Sequence, residues 1–376
     1  MISVLHFLNT LARGGTEEHV LMLLRGLDRR QFRLHLVCTP EVAEKLRADV
    51  PADVELLPLR LRKPTQAASA VRLMHLMRSR RVGILHCHQF YSSIFAAPLG
   101  RLCRVPVILE TPHVREQWRR GWKANYRIDR VVGRCVDYYL ANCQANARYL
   151  MEEKGLPAEK VELIYHGDDL KRFHPDHRPP AGLRESLGFG HDDPVLIVLG
   201  RLEPQKGHHV LLDALPMVRR EFPAVRLVCV GDGSSRGALE NQAARLGLQD
   251  TVRFVGHQSN VADWLALGDV TVLPSFFEGL PLVPMESLAA GRPVVASAVD
   301  GTPEIVISGK TGLTVPAGDV AALGGAVCEM LRDPALRRDL ARAGREWVLE
   351  HFTEERLVER TQALYLSTWK EKTGAR

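Results

Sequence analysis

The 376-residue chain predicts an α/β protein made of two Rossmann-like, doubly wound domains facing one another across a cleft. Three observations carry that prediction. The chain is too long for one ordinary core, so two domains are the natural expectation. Short apolar, β-branched runs alternate with amphipathic helical patterns, as in parallel sheets covered by helices on both faces. The alternation occurs twice, on either side of the polar, proline-rich segment Phe173 to Gly182, which suits an interdomain linker.

The elements follow in order. The start, Met1 to Leu8, lacks the basic stretch of a signal peptide and reads as a first core strand over 3–9. A helix over Glu17–Leu27 places Val20, Leu23, Leu24 and Leu27 on one face. Further strands are read near 33–39, 54–59, 84–88, 105–111, 137–142 and 161–165. The second half opens on Val195 to Gly200 and continues with strands near 226–231, 252–255, 270–274, 293–297 and 312–315. A last helix runs from about Glu354 to Trp369, with Leu357, Leu364, Leu366 and Trp369 as its apolar positions. The expected domains are 1–178 and 179–353, with 354–376 a helix crossing back to the first. No repeat or low-complexity segment appears, and no run of about 18 apolar residues predicts a membrane span.

Composition narrows the partners. Hydrophobic residues at 45% and charged residues at 25% fit a globular protein. A net charge of +6 and a pI near 9.0 favour anionic partners such as nucleotides or phospholipid surfaces. Seven scattered cysteines, at positions 38, 87, 103, 135, 143, 229 and 328, suggest buried thiols in a reducing cytoplasm rather than disulfides or a zinc site.

Ligands of open α/β sheets bind at the carboxyl ends of strands, and the chemistry-bearing residues fall there. Gly14 and Gly15 follow the first strand, where backbone can approach a ligand and Thr16 can cap the helix; a tight strand-to-helix turn is the plain alternative. Arg201 and Lys206 lie in Gly200-Arg201-Leu202-Glu203-Pro204-Gln205-Lys206-Gly207, after the first strand of the second half. Two cations and a helix start there suit a diphosphate, against an ordinary solvated basic loop. Glu278 and Glu286 bracket Gly279-Leu280-Pro281 between a strand and a helix, so that both carboxylates can serve one cleft.

This last segment resembles the Glu-x7-Glu signature of the family-4 retaining glycosyltransferases of GT-B fold. The resemblance is collinear over nearly the whole chain. It includes Gly14-Gly15, Ala141-Asn142-Cys143-Gln144, Tyr165-His166-Gly167-Asp168-Asp169, Gly200-Arg201 with Lys206-Gly207, Val230-Gly231-Asp232-Gly233 and Phe254-Val255-Gly256-His257. It implies that Arg201 and Lys206 hold the donor diphosphate and that Glu278, with the amides of Gly279 and Leu280, holds the sugar. It also implies that Glu286 accepts from the ribose, Val255 to His257 border the base, Gly15 approaches from the first domain and His113 lies beside the sugar. His166 departs from the family's usual asparagine, and Asp168 fills a usually apolar position.

Two lesser features complete the reading. His86-Cys87-His88 has metal-ligating residue types, but adjacent strand side chains point to opposite faces, which argues against a metal centre. Residues 115–134 hold seven Arg or Lys against two acidic residues, with Trp118, Trp122 and Tyr126 interleaved. They are read as an acceptor-side or peripheral membrane patch rather than a nucleic-acid face, with a solvated helix as the plain alternative.

The expected activity is retaining transfer of a sugar from a UDP- or GDP-linked nucleotide-sugar to a saccharide or lipid-linked acceptor, in envelope or exopolysaccharide synthesis. The nucleotide-sugar is a co-substrate, no cofactor is expected, and the lack of an Asp-x-Asp signature predicts metal independence. The expected location is cytoplasmic, at the inner face of the membrane. A sugar-nucleotide epimerase or another enzyme of the same fold, and a non-catalytic nucleotide-sugar or membrane-binding protein, are the competing classes. Turnover of a nucleotide-sugar alone would reveal the epimerase.

Overall fold

A computed structural model describes residues 1–10, 14–63, 65–113 and 125–374, without the side chains of 125–127. Contacts divide the chain into two units, Met1–Gly167 with Glu354–Arg376, and Asp168–Thr353. The first seam thus precedes the proline-rich segment that reads as a linker. Phe173 is buried, Pro175 packs against Gly291, and His177 Nε2 lies 2.6 Å from Asp263 Oδ1, so the segment belongs to the second unit. Its prolines suit an irregular packed path as well as a free linker.

In the first unit seven strands form an all-parallel sheet of order β3-β2-β1-β4-β5-β6-β7. They are β1 (Ile2–Leu8), β2 (Phe32–Cys38), β3 (Glu55–Pro58), β4 (Ile84–His88), β5 (Val107–Thr111), β6 (Tyr138–Ala141) and β7 (Val161–Leu163). One face carries Val4, Leu8, Leu34, Leu36 and Ile84 under the helix Gly15–Gly26 and the last helix, Glu354–Thr373. The other carries Leu5, Phe7, Leu85 and Cys87. Strand order reverses between β1 and β4, the place where open sheets receive ligands.

The last helix is built into this unit. Leu357, Val358 and Tyr365 are buried in its core, and Leu364, Leu366 and Trp369 pack against it. Gly26 and Gly83 make room: a Cβ on either would stand 2.5 Å from Val358 or Trp369.

The second unit holds a six-stranded parallel sheet of order β10-β9-β8-β11-β12-β13. Its strands are β8 (Val195–Leu199), β9 (Arg226–Val230), β10 (Val252–Gly256), β11 (Val270–Leu273), β12 (Val294–Ser297) and β13 (Leu313–Val315). β8, β11 and β12 are buried along their whole length, as continuous apolar runs require of a sheet covered on both faces. Order reverses between β8 and β11. Among the described residues no helix is long and apolar enough to cross a membrane, and none of the seven cysteines forms a disulfide.

Candidate active site

The strand-end loops of the second unit enclose a pocket of about 320 Å³. Arg201 enters it from the loop after β8, Asp232 from the loop after β9, His257 and Gln258 from the loop after β10, and Glu286 from the helix Leu282–Ala289 after β11. A glycine permits this convergence. Gly231, at φ 140°, lets its backbone meet the end of β8, where a Cβ would stand 2.0 Å from the Gly200 carbonyl oxygen. Its N–H donates to the Gly256 carbonyl at 2.8 Å, tying the ends of β9 and β10 together.

Lys206 and Glu278 sit beside this pocket as a pair. Lys206 Nζ donates to Glu278 Oε1 at 2.6 Å, and its stem passes Gly200 on the pocket wall. The loops that carry them are stitched together. Phe276 N–H donates to the Gln205 carbonyl at 2.8 Å, and Gln205 Nε2 donates to the Phe277 carbonyl at 2.8 Å. Gly207, at φ 66°, opens the following helix, and a Cβ there would stand 1.9 Å from the Pro274 carbonyl oxygen. Only glycine fits so close an approach.

Glu286 is electrostatically unusual. It is 8% exposed, and burial pushes its carboxyl up to about 8. Repulsion from Asp168 adds to the rise, and Arg172, 3.6 Å away, opposes it. Glu286 is therefore largely a neutral acid at pH 7, able to donate as well as accept a hydrogen bond.

In the first unit, His113 follows β5, and Asn142, in Ala141-Asn142-Cys143-Gln144, and Asn146 place it. Asn142 Nδ2 donates to the His113 carbonyl at 3.0 Å, and Asn146 Nδ2 donates to the Pro112 carbonyl at 2.6 Å. Gly14 is extended, at φ −167°, and its N–H donates to Glu17 Oε2 at 2.8 Å. A Cβ on Gly15 would meet nothing within 4 Å, so the fold itself does not require glycine there. Of residues 115–134, 115–124 lie outside the described residues; the helix Asn125–Gly133 exposes Ile128 and Val131.

Comparison with known proteins settles the family. Residues 182–347 match the family described as glycosyl transferases group 1, and residues 13–172 match glycosyltransferase family 4. A glycogen synthase of Mycobacterium tuberculosis is 32% identical over 300 residues, 77% of this chain and 70% of that protein. The chain is a family-4 glycosyltransferase. A GDP-mannose-dependent alpha-(1-6)-phosphatidylinositol monomannoside mannosyltransferase of Mycolicibacterium smegmatis is 38% identical over 207 residues, 52% of this chain and 53% of that one. The crystal structure of HepE from Anabaena in complex with UDP shares the GT-B fold, with a TM-score of 0.86 at 20% identity over 97% of this chain and 100% of that chain.

The glycosyltransferase gathers Arg201, His257 and Glu286 on one pocket wall and joins Lys206 to Glu278 alongside. Val255, Gly279 and Leu280 are not on that wall: the Val255 carbonyl accepts from Gln258 Nε2 at 2.9 Å, and the Gly279 carbonyl accepts from Gly301 N–H at 3.0 Å. Sequence reasoning missed Asp300, whose Oδ2 accepts from Glu278 N–H at 2.8 Å and whose φ of 43° is rare outside glycine. The strand-end Asp300-Gly301 pair was its only signal. It also missed His6 and His19. His166, the departure from the family pattern, lies with its Nδ1 2.8 Å from His19 Nδ1.

Proposed function

We infer that the glycosyltransferase takes a UDP- or GDP-linked sugar as co-substrate and transfers it, with retention of configuration, to a saccharide or lipid-linked acceptor. The observation that carries this reading is a strand-end pocket pairing the Arg201 cation with the Glu286 acid, with Lys206 and Glu278 beside it. The names of the relatives support it: one is GDP-mannose-dependent, and HepE was crystallised with UDP.

The chemistry follows from the groups. As the bond between sugar and diphosphate breaks, negative charge grows on the phosphate oxygens. Arg201 offers a fixed fork of donors, and Lys206 has donors beyond the one Glu278 engages. Two cations neutralise the leaving group, so no metal on the donor and no cofactor is needed. Glu278, held by Lys206 and by its own N–H on Asp300, accepts from the sugar hydroxyls, with the amides of Gly279 and Leu280 beside it. Glu286 meets the ribose, and Val255 and His257 border the base. From the first unit, Gly14, Gly15 and His113 meet the reactants. The acceptor chemistry fits envelope or exopolysaccharide assembly at the cytoplasmic face of a membrane, with residues 115–134 as the contact.

Thermal-shift screening against UDP-, GDP- and ADP-sugars identifies the donor. With that donor, Arg201→Ala, Lys206→Ala and Glu278→Ala each lower turnover by about 10²–10³-fold while unfolding like the wild type. Transfer persists in a chelator. Wild-type turnover in Lys206→Ala would sink the leaving-group role, and loss of transfer in the chelator would sink metal independence.

A further inference from the structure

Six imidazoles cluster on one face of the first sheet: His6 on β1, His86 and His88 on β4, His19 on the helix Gly15–Gly26, His113 after β5 and His166 after β7. All are buried. Parallel register pairs His6 with His86, and His86 and His88, two residues apart, share a face while Cys87 points into the opposite core. The alternation that separates Cys87 from its neighbours therefore brings the two histidines together, with ring centroids 4.2 Å apart.

A neutral imidazole has one donor and one acceptor, so the partners can be counted. His86 is complete, its Nδ1 2.5 Å from the Tyr365 hydroxyl and its Nε2 2.7 Å from Thr111 Oγ1. His88 lies between His6 and His113, with contacts of 3.1 and 3.3 Å. His19 Nδ1 meets His166 Nδ1 at 2.8 Å. Two buried nitrogens have no partner: Nε2 of His19 and Nε2 of His6. Burial, reinforced for most of them by neighbouring imidazoles, holds all six far below the ordinary range, so they stay neutral with lone pairs available.

We propose that His19, His88 and His113 form a three-imidazole site for a divalent transition-metal ion of the zinc class. One ligand atom from each lies within 4.8 Å of the other two. Nitrogens bound to tetrahedral zinc at about 2.0–2.1 Å stand about 3.3–3.4 Å apart, and His88 Nδ1 and His113 Nε2 are 3.3 Å apart. Outer partners that fix ring orientation are in place, since His6 Nδ1 faces His88 Nε2 and His166 Nδ1 faces His19 Nδ1. The alternative trio of His6, His86 and His88 would need a nitrogen that His86 already commits to a hydroxyl. An all-nitrogen set with no carboxylate excludes magnesium and calcium by preference and leaves a fourth position for water or a small anion. In the metal-bound form His88 carries its proton on Nε2, where His6 Nδ1 accepts it, and His6 carries its own proton on Nε2. The site stands whether or not the glycosyl-transfer reading holds.

The test is titration of the full-length, metal-free protein with Co²⁺. The expected result is one equivalent bound per chain, with the visible absorption of a four-coordinate nitrogen-ligated ion, displaced by one equivalent of Zn²⁺. His19→Gln and His88→Gln abolish that spectrum, His166→Asn weakens binding about 10–100-fold, and His191→Ala, at an exposed histidine, leaves it unchanged. X-ray absorption at the cobalt edge of the wild type reads three imidazole ligands without any variant. No stoichiometric binding by the wild type, fewer than three imidazoles, or wild-type affinity in folded His19→Gln and His88→Gln proteins would overturn the site.

Discussion

Glu286 shows how one residue can be legible in the sequence while its state is not. The spacing from Glu278 marked it, but its protonation depends first on its burial and then on Asp168 and Arg172, more than a hundred positions earlier in the chain. Its folded pKa of about 8 lies above the 4.5 of an ordinary glutamate, so the folded protein binds the extra proton between those values. Stability is therefore fullest below about pH 4.5 on this account and falls as pH rises through about 8, by up to about 1.4 kcal/mol per pH unit. Glu286→Gln removes that cost. Thermal unfolding of the two proteins should show the variant gaining on the wild type with rising pH over this range. A constant difference would mean that Glu286 titrates normally.

At the scale of elements, the strands were readable because most carry β-branched or leucine-rich stretches, and β4, β5, β8, β11 and β12 are buried along their whole length. The loops were readable only where glycine marks a close approach. Gly207 is such a place: Gly207→Ala forces a Cβ into the Pro274 carbonyl at a left-handed φ, and should cost about 1–3 kcal/mol or more. Because the Pro274 side of that contact leads into the Glu278 loop, denaturant unfolding and donor binding should weaken together. Unchanged stability would show that the loop relaxes freely. The histidine cluster was not readable, because His6 meets His88, and His19 meets His166, only through parallel pairing of β1 with β4 and the path of the loops. Alternation along β4 explains Cys87 but says nothing of a neighbouring strand.

For the whole molecule, the two units hold different chemistries and should respond differently to acid. In the first, His6 and His113 are held down to about 3 and His166 to about 4. Their contribution is complete above the unfolded value of about 6.5 and is lost as pH falls through these lower values, since the unfolded chain takes up the protons first. Hydrogen exchange should show the first sheet opening on acidification below about pH 6, and full protection of β1 and β4 at about pH 4 would contradict the cluster's neutrality. The last helix ties the chain's end into the same unit. Removing residues 354–376 uncovers Leu357's and Tyr365's partners in that core and should unfold the first unit, which a loss of its near-ultraviolet dichroism would report. In the second unit, Arg201 and Lys206 are proposed to hold a nucleotide's diphosphate. Calorimetric titration with UDP and GDP, and with uridine and guanosine, tests it on the wild type and on Arg201→Ala/Lys206→Ala. The account predicts that the double variant loses at least about tenfold in affinity for the preferred nucleoside diphosphate while nucleoside affinity is unchanged. Equal affinity of the two proteins for that diphosphate would contradict it.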